Sequence, residues 1–575
     1  MASSDLGAPS SPRVWPVCAT LALSAPALLA FNLPPSATFL NQAAALVGWG
    51  GFLLVLAAVL PGRCRPLGAG LTAVLAALAL LMGASLASPL WAGLPWSLSL
   101  SGVGMIGAAM LALLVGATAQ AQGMGAAAFR VLCIGLVVAG VASSLVGIAQ
   151  VFAPDWPDGD WIARTYIAGR AVGNLRQPNH LSSLLVWGCI AAVWLAETGA
   201  LRRWVGTALA LLFIFVIVLT ASRTGTVSVV LLAAWAIVDT RLSRGTRIVL
   251  LLAPLAYLAF WLGTSAWADY SRHVFGGETR FTTKGDISSS RWGIWSNTSS
   301  LIAMHPWAGV GFGEFNFAWT LTPFPGRPVA FFDHTHNIVL QFAVELGLPL
   351  ATGVLALLAW ALWSAWRGAQ DSSRRAALVM VLMILLHSLL EYPLWYAYFL
   401  LPAAFAFGLC LGQPAVAGAA LSGKAWPLIV ASALLMLGGA ASVIDYSRVV
   451  AIYAPGEGAG PLAQRIESGK SSLFFAHQAD YAAATTGDHP ADALAAFRRA
   501  PHNLLDARLM IAWAKALNES GDTDRARYVA QRLAEFHNDA ATEFFAPCAD
   551  KVKLAAARPF QCEQPSRSFT YEDFR

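Results

Sequence analysis

DHTHNIVLQFAVELG, residues 333–347, is where a long polar loop turns into an apolar helix. Two histidines, an Asn and a Gln stand at the entrance of a run that stays apolar through Leu348–Trp366. A helix needs about 20 such residues to cross a bilayer. The His336 end is therefore expected at or near a membrane surface, with the polar loop outside it.

The composition agrees with that reading. Of 575 residues, 57% are hydrophobic and 12% charged, whereas soluble domains carry about 25% charged residues. The 22 Trp suit an aromatic belt at the membrane interface. The net charge of +6 is scattered among loops rather than striped along one face, which argues against a nucleic-acid footprint.

Apolar runs long enough to be considered as spans occur near 15–33, 39–60, 69–87, 97–118, 129–151, 180–197, 204–220, 224–239, 248–264, 338–366, 376–391, 394–412 and 426–445. The fold expected is all-α: a polytopic membrane bundle of about 12–13 helices over residues 1–445. The first 14 residues carry only Arg13 as a basic residue and lead straight into further spans, so no cleavable signal peptide is expected. Arg63, Arg65, Arg130, Arg202, Arg203, Arg241, Arg244, Arg247, Arg367, Arg374, Arg375 and Lys424 lie in short connections. With Arg13 they make 13 basic residues, and connections 34–38, 88–96 and 392–393 hold none. The positive-inside rule then sets the N-terminus in the cytoplasm. An odd number of spans puts loops 152–179 and 265–335, the turn at Ser222–Arg223 and the C-terminal segment on the outer side.

Residues 446–575 read as a soluble helical domain. Amphipathic patterns run over 491–500, 504–519 and 523–536, with Asp522 or Thr523 as an N-cap. One helix pair resembles a tetratricopeptide-like unit. Cys548 and Cys562 share this segment and pair only in an oxidising compartment; free thiols are the alternative.

Five constellations carry candidate chemistry. AGRAVGNLRQPNHLSS (168–183) offers Arg170, Arg176, Gln177, Asn179 and His180 around a helix start, a setting that suits an anion and equally an ordinary capped loop. Arg223 follows a turn with almost no loop, where a charge at membrane depth is costly, although a snorkelling Arg does the same. Arg291 opens a short helix within the loop 265–335, which at about 70 residues is far longer than most connections. A cation in a first helical turn is disfavoured by the helix dipole, a conflict that a bound anion removes. Stacking on Trp295 is the alternative. Gly309, Gly311 and Gly313 read as a tight turn.

His336 suits a proton acceptor near neutral pH. A metal site from Asp333, His334 and His336 is disfavoured on the reading that residues two apart on a helix diverge and no third ligand is evident. Asn337 adjoins the pair. In LLHSLLEYPLWYAYFL (385–400), His387 and Glu391 fall at i, i+4, Pro393 ends the helix, and Tyr392 and Tyr396 follow. Glu391 is costly in lipid, so a cavity or an Arg is its expected neighbour.

With these residues in hand the chain resembles the O-antigen ligase/polymerase superfamily, and within it bacterial PglL-type O-oligosaccharyltransferases. GNLRQPNHLSSLLVWG (173–188), HTHNIVLQFAVELGLP (334–349) and HSLLEYPLWYAYFLLP (387–402) carry the resemblance in order. It implies an inner-membrane enzyme with a GT-C-like helix bundle that moves a glycan en bloc from undecaprenyl diphosphate to Ser or Thr of a periplasmic protein, pilin-like or other, without metal or cofactor. It further implies that His336 is the base or orients the acceptor, that Arg291 and Arg223 neutralise the diphosphate, and that Gln177 and Tyr396 line the donor site. An O-antigen ligase acting on lipid A–core, or a Wzy-like polymerase, is the neighbouring possibility. A transporter of the same lipid would show internal repeats and ionisable residues at the bilayer midplane; none is evident.

Overall fold

The computed structural model describes residues 14–60, 68–278, 291–324, 326–413, 425–487, 493–549 and 558–575. Among these the secondary structure is helical throughout, with no strand. A helix lies in each of the thirteen apolar runs: α1 Val14–Ser24, α2 Phe39–Val59, α3 Ala69–Trp91, α4 Trp96–Ala121, α5 Gly125–Phe152, α6 Pro178–Glu197, α7 Arg203–Thr220, α8 Arg223–Val238, α9 Arg244–Ser271, then, beyond α10 Arg291–Met304 and α11 Phe315–Leu321, α12 Ile338–Gly368, α13 Ser372–Ser388, α14 Ala397–Leu411 and α15 Trp426–Tyr453. Nine of these are long and apolar enough to cross a membrane, and three shorter apolar helices accompany them among the described residues. The polytopic all-α expectation stands.

Helix α6 is the axis of the bundle. Gln177 adopts an extended conformation ahead of Pro178, its side chain accepts from His180 N, and Pro178 occupies the first helical turn. Every residue from Pro178 to Ala196 is buried, as expected of a helix apolar all round. Trp187 Nε1 inside it donates to Met380 O of α13 at 2.9 Å.

Among the described residues, the two classes of connection occupy opposite ends of the bundle. At the C-terminal end of α6, Ser243 Oγ donates to Glu197 at 2.6 Å. Arg375 pairs with Asp239 at 2.7 Å, and Arg241 donates to Gln370 O. At the other end lie the starts of α6, α8 and α12 and the C-terminal end of α13.

Helix α12 differs from the single span expected. Gly347 breaks it, with φ 74° and ψ 160°. The loop before α11 clasps the opened backbone: Leu348 N donates to Pro306 O (2.7 Å), Val310 N to Val344 O (2.9 Å) and Gly311 N to Glu345 O (3.1 Å). A Cβ on Gly347 would lie 2.3 Å from Trp307 O, and its positive φ is one that glycine alone adopts cheaply. The glycines read as a turn are the clasp of a helix break.

The C-terminal residues do not stand apart from the long loop. The division expected at residue 445 falls inside α15, which continues to Tyr453. Beyond it come α16 Leu462–Lys470, α17 Ala476–Thr486, α18 Ala507–Glu519, α19 Thr523–Ala534 and α20 Thr542–Ala549. Asp522 caps α19. The described part of the pattern at 491–500 forms two 3-10 turns rather than a helix, because Pro501 restricts the residue before it. One hydrophobic core joins α10, α11 and Phe332 to Phe497, Trp513, Tyr528 and Phe574. His502 Nδ1 lies 2.7 Å from Glu314 Oε2, and Tyr528 OH donates to Leu321 O at 2.7 Å. Cys548 and Cys562 form a disulfide.

Candidate active site

Glu391 is the meeting point of four separate chain segments. Its Oε1 accepts from Arg291 Nη2 at 2.9 Å and from Asn179 Nδ2 at 3.1 Å. Its Oε2 lies 3.6 Å from His336 Nε2. Asn179 Oδ1 in turn accepts from Ser222 Oγ at 2.6 Å, and Ser222 caps α8 by accepting from Gly225 N at 3.0 Å. The start of α6, the start of α10 and the entrance of α12 therefore converge on one carboxylate, and the α7–α8 turn joins them through Asn179. The Arg expected beside Glu391 is Arg291, and the anion that Arg291 calls for in its helical turn is supplied from within the chain. Arg291 makes this pair rather than stacking on Trp295, whose Nε1 donates to Thr335 O at 3.1 Å. The serines 288–290 that precede Arg291 in sequence lie outside the described residues.

The helix α13 ends at Ser388, so His387 and Glu391 do not share a helical face as expected. His387 Nδ1 turns inward to Ser183 Oγ at 2.7 Å, while Glu391 faces the hub. His180 also points into the bundle, with Nδ1 3.1 Å from Tyr398 OH. An aromatic row leads from the hub towards it: His334 against Tyr392, Tyr392 and Tyr396 at 5.9 Å, and Tyr396 and His180 at 4.6 Å between ring centroids.

Backbone conformation aims these groups. Arg176, Ala221 and His336 have φ of 58°, 49° and 56°, left-handed values uncommon outside glycine that cluster at functional sites. His334 and His336 thus sit in a turn, not on a helix, with rings 4.2 Å apart. The reason given above against a metal therefore fails, and Glu391 supplies a third ligand-type group. The donor atoms of His334, His336 and Glu391 lie within 4.8 Å of one another. Against a cation stands Arg291, whose fixed positive charge already holds Glu391.

The His336 turn is fixed from behind. Asn337 caps α12 by accepting from Val339 N (3.0 Å) and Leu340 N (3.1 Å), and its Nδ2 donates to Leu389 O. Thr335 N donates to Gln341 Oε1 at 2.8 Å, and Gln341 Nε2 donates to Glu345 Oε1 at 2.8 Å. Gln341→Leu strands the buried Thr335 N–H, a cost of about 1–3 kcal/mol, and is expected to lower kcat at least tenfold, with Gln341→Glu intermediate. Unchanged kcat in Gln341→Leu would contradict this positioning role. Gln341 and Glu345 carried a legible signal: two polar residues at i, i+4 in an apolar helix.

Other candidate residues take different places. Arg170 Nε donates to Thr220 O at 2.9 Å and Arg176 Nη2 to Ala30 O at 2.6 Å, so both guanidinium groups bind backbone carbonyls. Gln177 serves as the α6 cap. Arg223 is exposed at the start of α8, next to Ser222 and facing outward.

Burial, then the nearby His334 and Arg291, push the His336 imidazole from its ordinary 6.5 down to about 3. Burial likewise raises the Tyr396 phenol to about 12. The imidazole is therefore neutral in the free protein at ordinary pH. Its depressed value means that the unprotonated form is lost only as pH falls through about 3. The acid limb of kcat/KM is expected below pH 5, because that parameter reports the free enzyme. A limb at 6.5 would contradict the burial.

Three family models match the chain. The protein glycosylation ligase model matches 171–196, the O-antigen ligase model 208–355, and the C-terminal model of a virulence factor membrane-bound polymerase 375–547. The matched segments are similar to O-antigen ligases and, at 171–196, to protein glycosylation ligases. Two curated relatives come from Acinetobacter baylyi. One is a general O-oligosaccharyltransferase, 29% identical over 252 residues, which are 42% of this chain and 44% of the relative. The other is a ComP-specific O-oligosaccharyltransferase, 26% identical over 243 residues with the same shares. The chain thus spans less than half the length of these relatives. The nine candidate membrane helices and these similarities together make it a multi-pass membrane protein. The three matches contain Asn179, His336 and Glu391 respectively, so the hub draws on all three; Arg291 and Ser222 lie in the same match as His336.

Proposed function

We propose that the chain is an O-oligosaccharyltransferase of the bacterial inner membrane, moving a preassembled glycan from undecaprenyl diphosphate to Ser or Thr hydroxyls of periplasmic proteins. The observation that carries this reading is the hub itself: a guanidinium and a neutral imidazole held on one carboxylate. It lies at the bundle end away from the basic connections, the end that the positive-inside rule assigns to the periplasm. The protein glycosylation ligase match and the two named relatives support a protein acceptor.

The chemistry follows from the groups present. The acceptor hydroxyl oxygen attacks the sugar C1, the C1–oxygen bond to diphosphate breaks, and the hydroxyl proton passes to His336. The electron pair leaves on the diphosphate, whose charge Arg291 meets and Arg223, exposed at the α8 start, approaches from outside. Preorganised cations aimed at developing charge are the main electrostatic lever in such a step. Diphosphate binding also offsets the positive charge of Arg291 that depresses His336, so the imidazole becomes more basic once donor is bound. Gln177 and Tyr396 line the donor side.

The test is acceptor choice. Purified protein with undecaprenyl-diphosphate glycan is offered a pilin-like protein and lipid A–core in parallel. Glycosylated protein is expected. Product on lipid A–core alone would replace the acceptor with a lipopolysaccharide one and keep the donor chemistry.

A further inference from the structure

The segment after α5 carries an exposed aromatic set that the reaction hub does not use. Trp156, Trp161 and Tyr166 are 72%, 82% and 92% exposed. The backbone around Trp161 is nevertheless held by hydrogen bonds. Asp158 Oδ1 accepts from Asp160 N, Trp161 N and Ile162 N at 3.0, 2.9 and 3.1 Å. Asn174, buried, accepts from Ala163 N at 3.0 Å and donates to Trp161 O at 3.0 Å. Buried Gln150 donates to Ala163 O at 2.7 Å. The anchor is continuous with the active site, since Asn174 stands a few residues before Gln177 and Asn179.

Exposed aromatics on a fixed backbone indicate a surface meant to be covered. Lipid is one cover, and this protein shows what that looks like: Trp360, Trp363 and Trp366 recur along α12, each 54% exposed, with Arg367 5.9 Å from the Trp363 ring. That is the aromatic-plus-cation pattern of a membrane interface. The 155–166 turn has the opposite charge, with Asp155, Asp158 and Asp160 against Arg164. Carboxylates are repelled by anionic headgroups but accept well from sugar hydroxyls, and aromatic faces stack on the C–H faces of pyranoses.

We propose that the Asp155–Tyr166 turn is a sugar-binding platform for the donor glycan beyond its carrier-linked sugar, with Trp161 as the central stacking face and Asp155 and Asp160 accepting from hydroxyls. The proposal rests on the glycan-transfer reading. Its test compares two donors on the full chain: undecaprenyl diphosphate bearing one N-acetylhexosamine, and the same lipid extended by three neutral hexoses. Trp161→Ala raises KM and Kd for the four-sugar donor about 3- to 10-fold, the effect of one lost aromatic contact. It leaves both constants unchanged for the one-sugar donor, and Trp161→Phe restores most of the loss. Equal changes with both donors would show a general membrane or structural role, and no change with either would show no role; each overturns the platform. If the wild type transfers neither glycan, the transfer reading fails by itself. The ratio of the two binding constants then still decides the platform.

Discussion

His336→Ala is expected to lower kcat about 10²–10⁴-fold, the range supplied by a positioned general base, while donor KM changes little. The imidazole lies 3.6 Å from Glu391 Oε2 and is held by a turn that Asn337 and Gln341 fix from behind. Removing it takes away the proton acceptor but not Arg291, which is held separately by Glu391. The split between kcat and KM is the diagnostic. A variant with unchanged kcat would show that the hydroxyl loses its proton elsewhere. The pH profiles sharpen this prediction. Donor binding raises the basicity of His336, so the acid limb of kcat, which reports the bound complex, lies at higher pH than that of kcat/KM. Coincident limbs would mean that the diphosphate does not approach Arg291.

Loss of Arg291 is expected to be nearly as severe, with kcat down about 10²–10³-fold in Arg291→Ala, comparable to removing one preorganised donor from an oxyanion site. Its partner gives a contrasting signature. Glu391→Leu leaves Arg291, Asn179 and His336 without the group that aligns them, and is expected to lower both kcat and thermal stability, the latter by about 1.5–3 kcal/mol for a hydrogen bond to a charged group. Glu391→Gln keeps an acceptor for Asn179 and restores most of the stability but not the rate. Because the two side chains act as one unit, the double variant Arg291→Ala/Glu391→Leu is expected to be far less impaired than the sum of the singles. Strict additivity, read from single-turnover rates, would show that the pair is incidental to the reaction.

Much of this hub is legible in the residues alone. Apolar runs located every helix of the bundle, and the charge of the connections separated its two ends. The cost of a carboxylate in lipid pointed Glu391 towards an Arg, and the adverse dipole at Arg291 pointed that residue towards an anion. Pairing the two needed the fold, since 100 residues separate them. Arg170 and Arg176 misled for a related reason: composition shows a guanidinium but not whether a carbonyl such as Thr220 O has already claimed it. The break at Gly347 was hidden because an apolar run reads the same through an opened helix. The positive φ of His336 leaves no mark in residue type, so two histidines that read as diverging on a helix instead lie side by side. Nor did the amphipathic C-terminal helices reveal their partner, which is the long loop itself.

The most direct test of the account is single-turnover transfer with labelled donor and a protein acceptor after exhaustive EDTA treatment. The account predicts that glycan appears on Ser or Thr and free undecaprenyl diphosphate is released at the untreated rate, with the His336→Ala variant inactive beside it. Activity lost in EDTA and restored by a divalent cation would contradict it. That result would assign His334, His336 and Glu391 to a metal instead of to a base and its anchor.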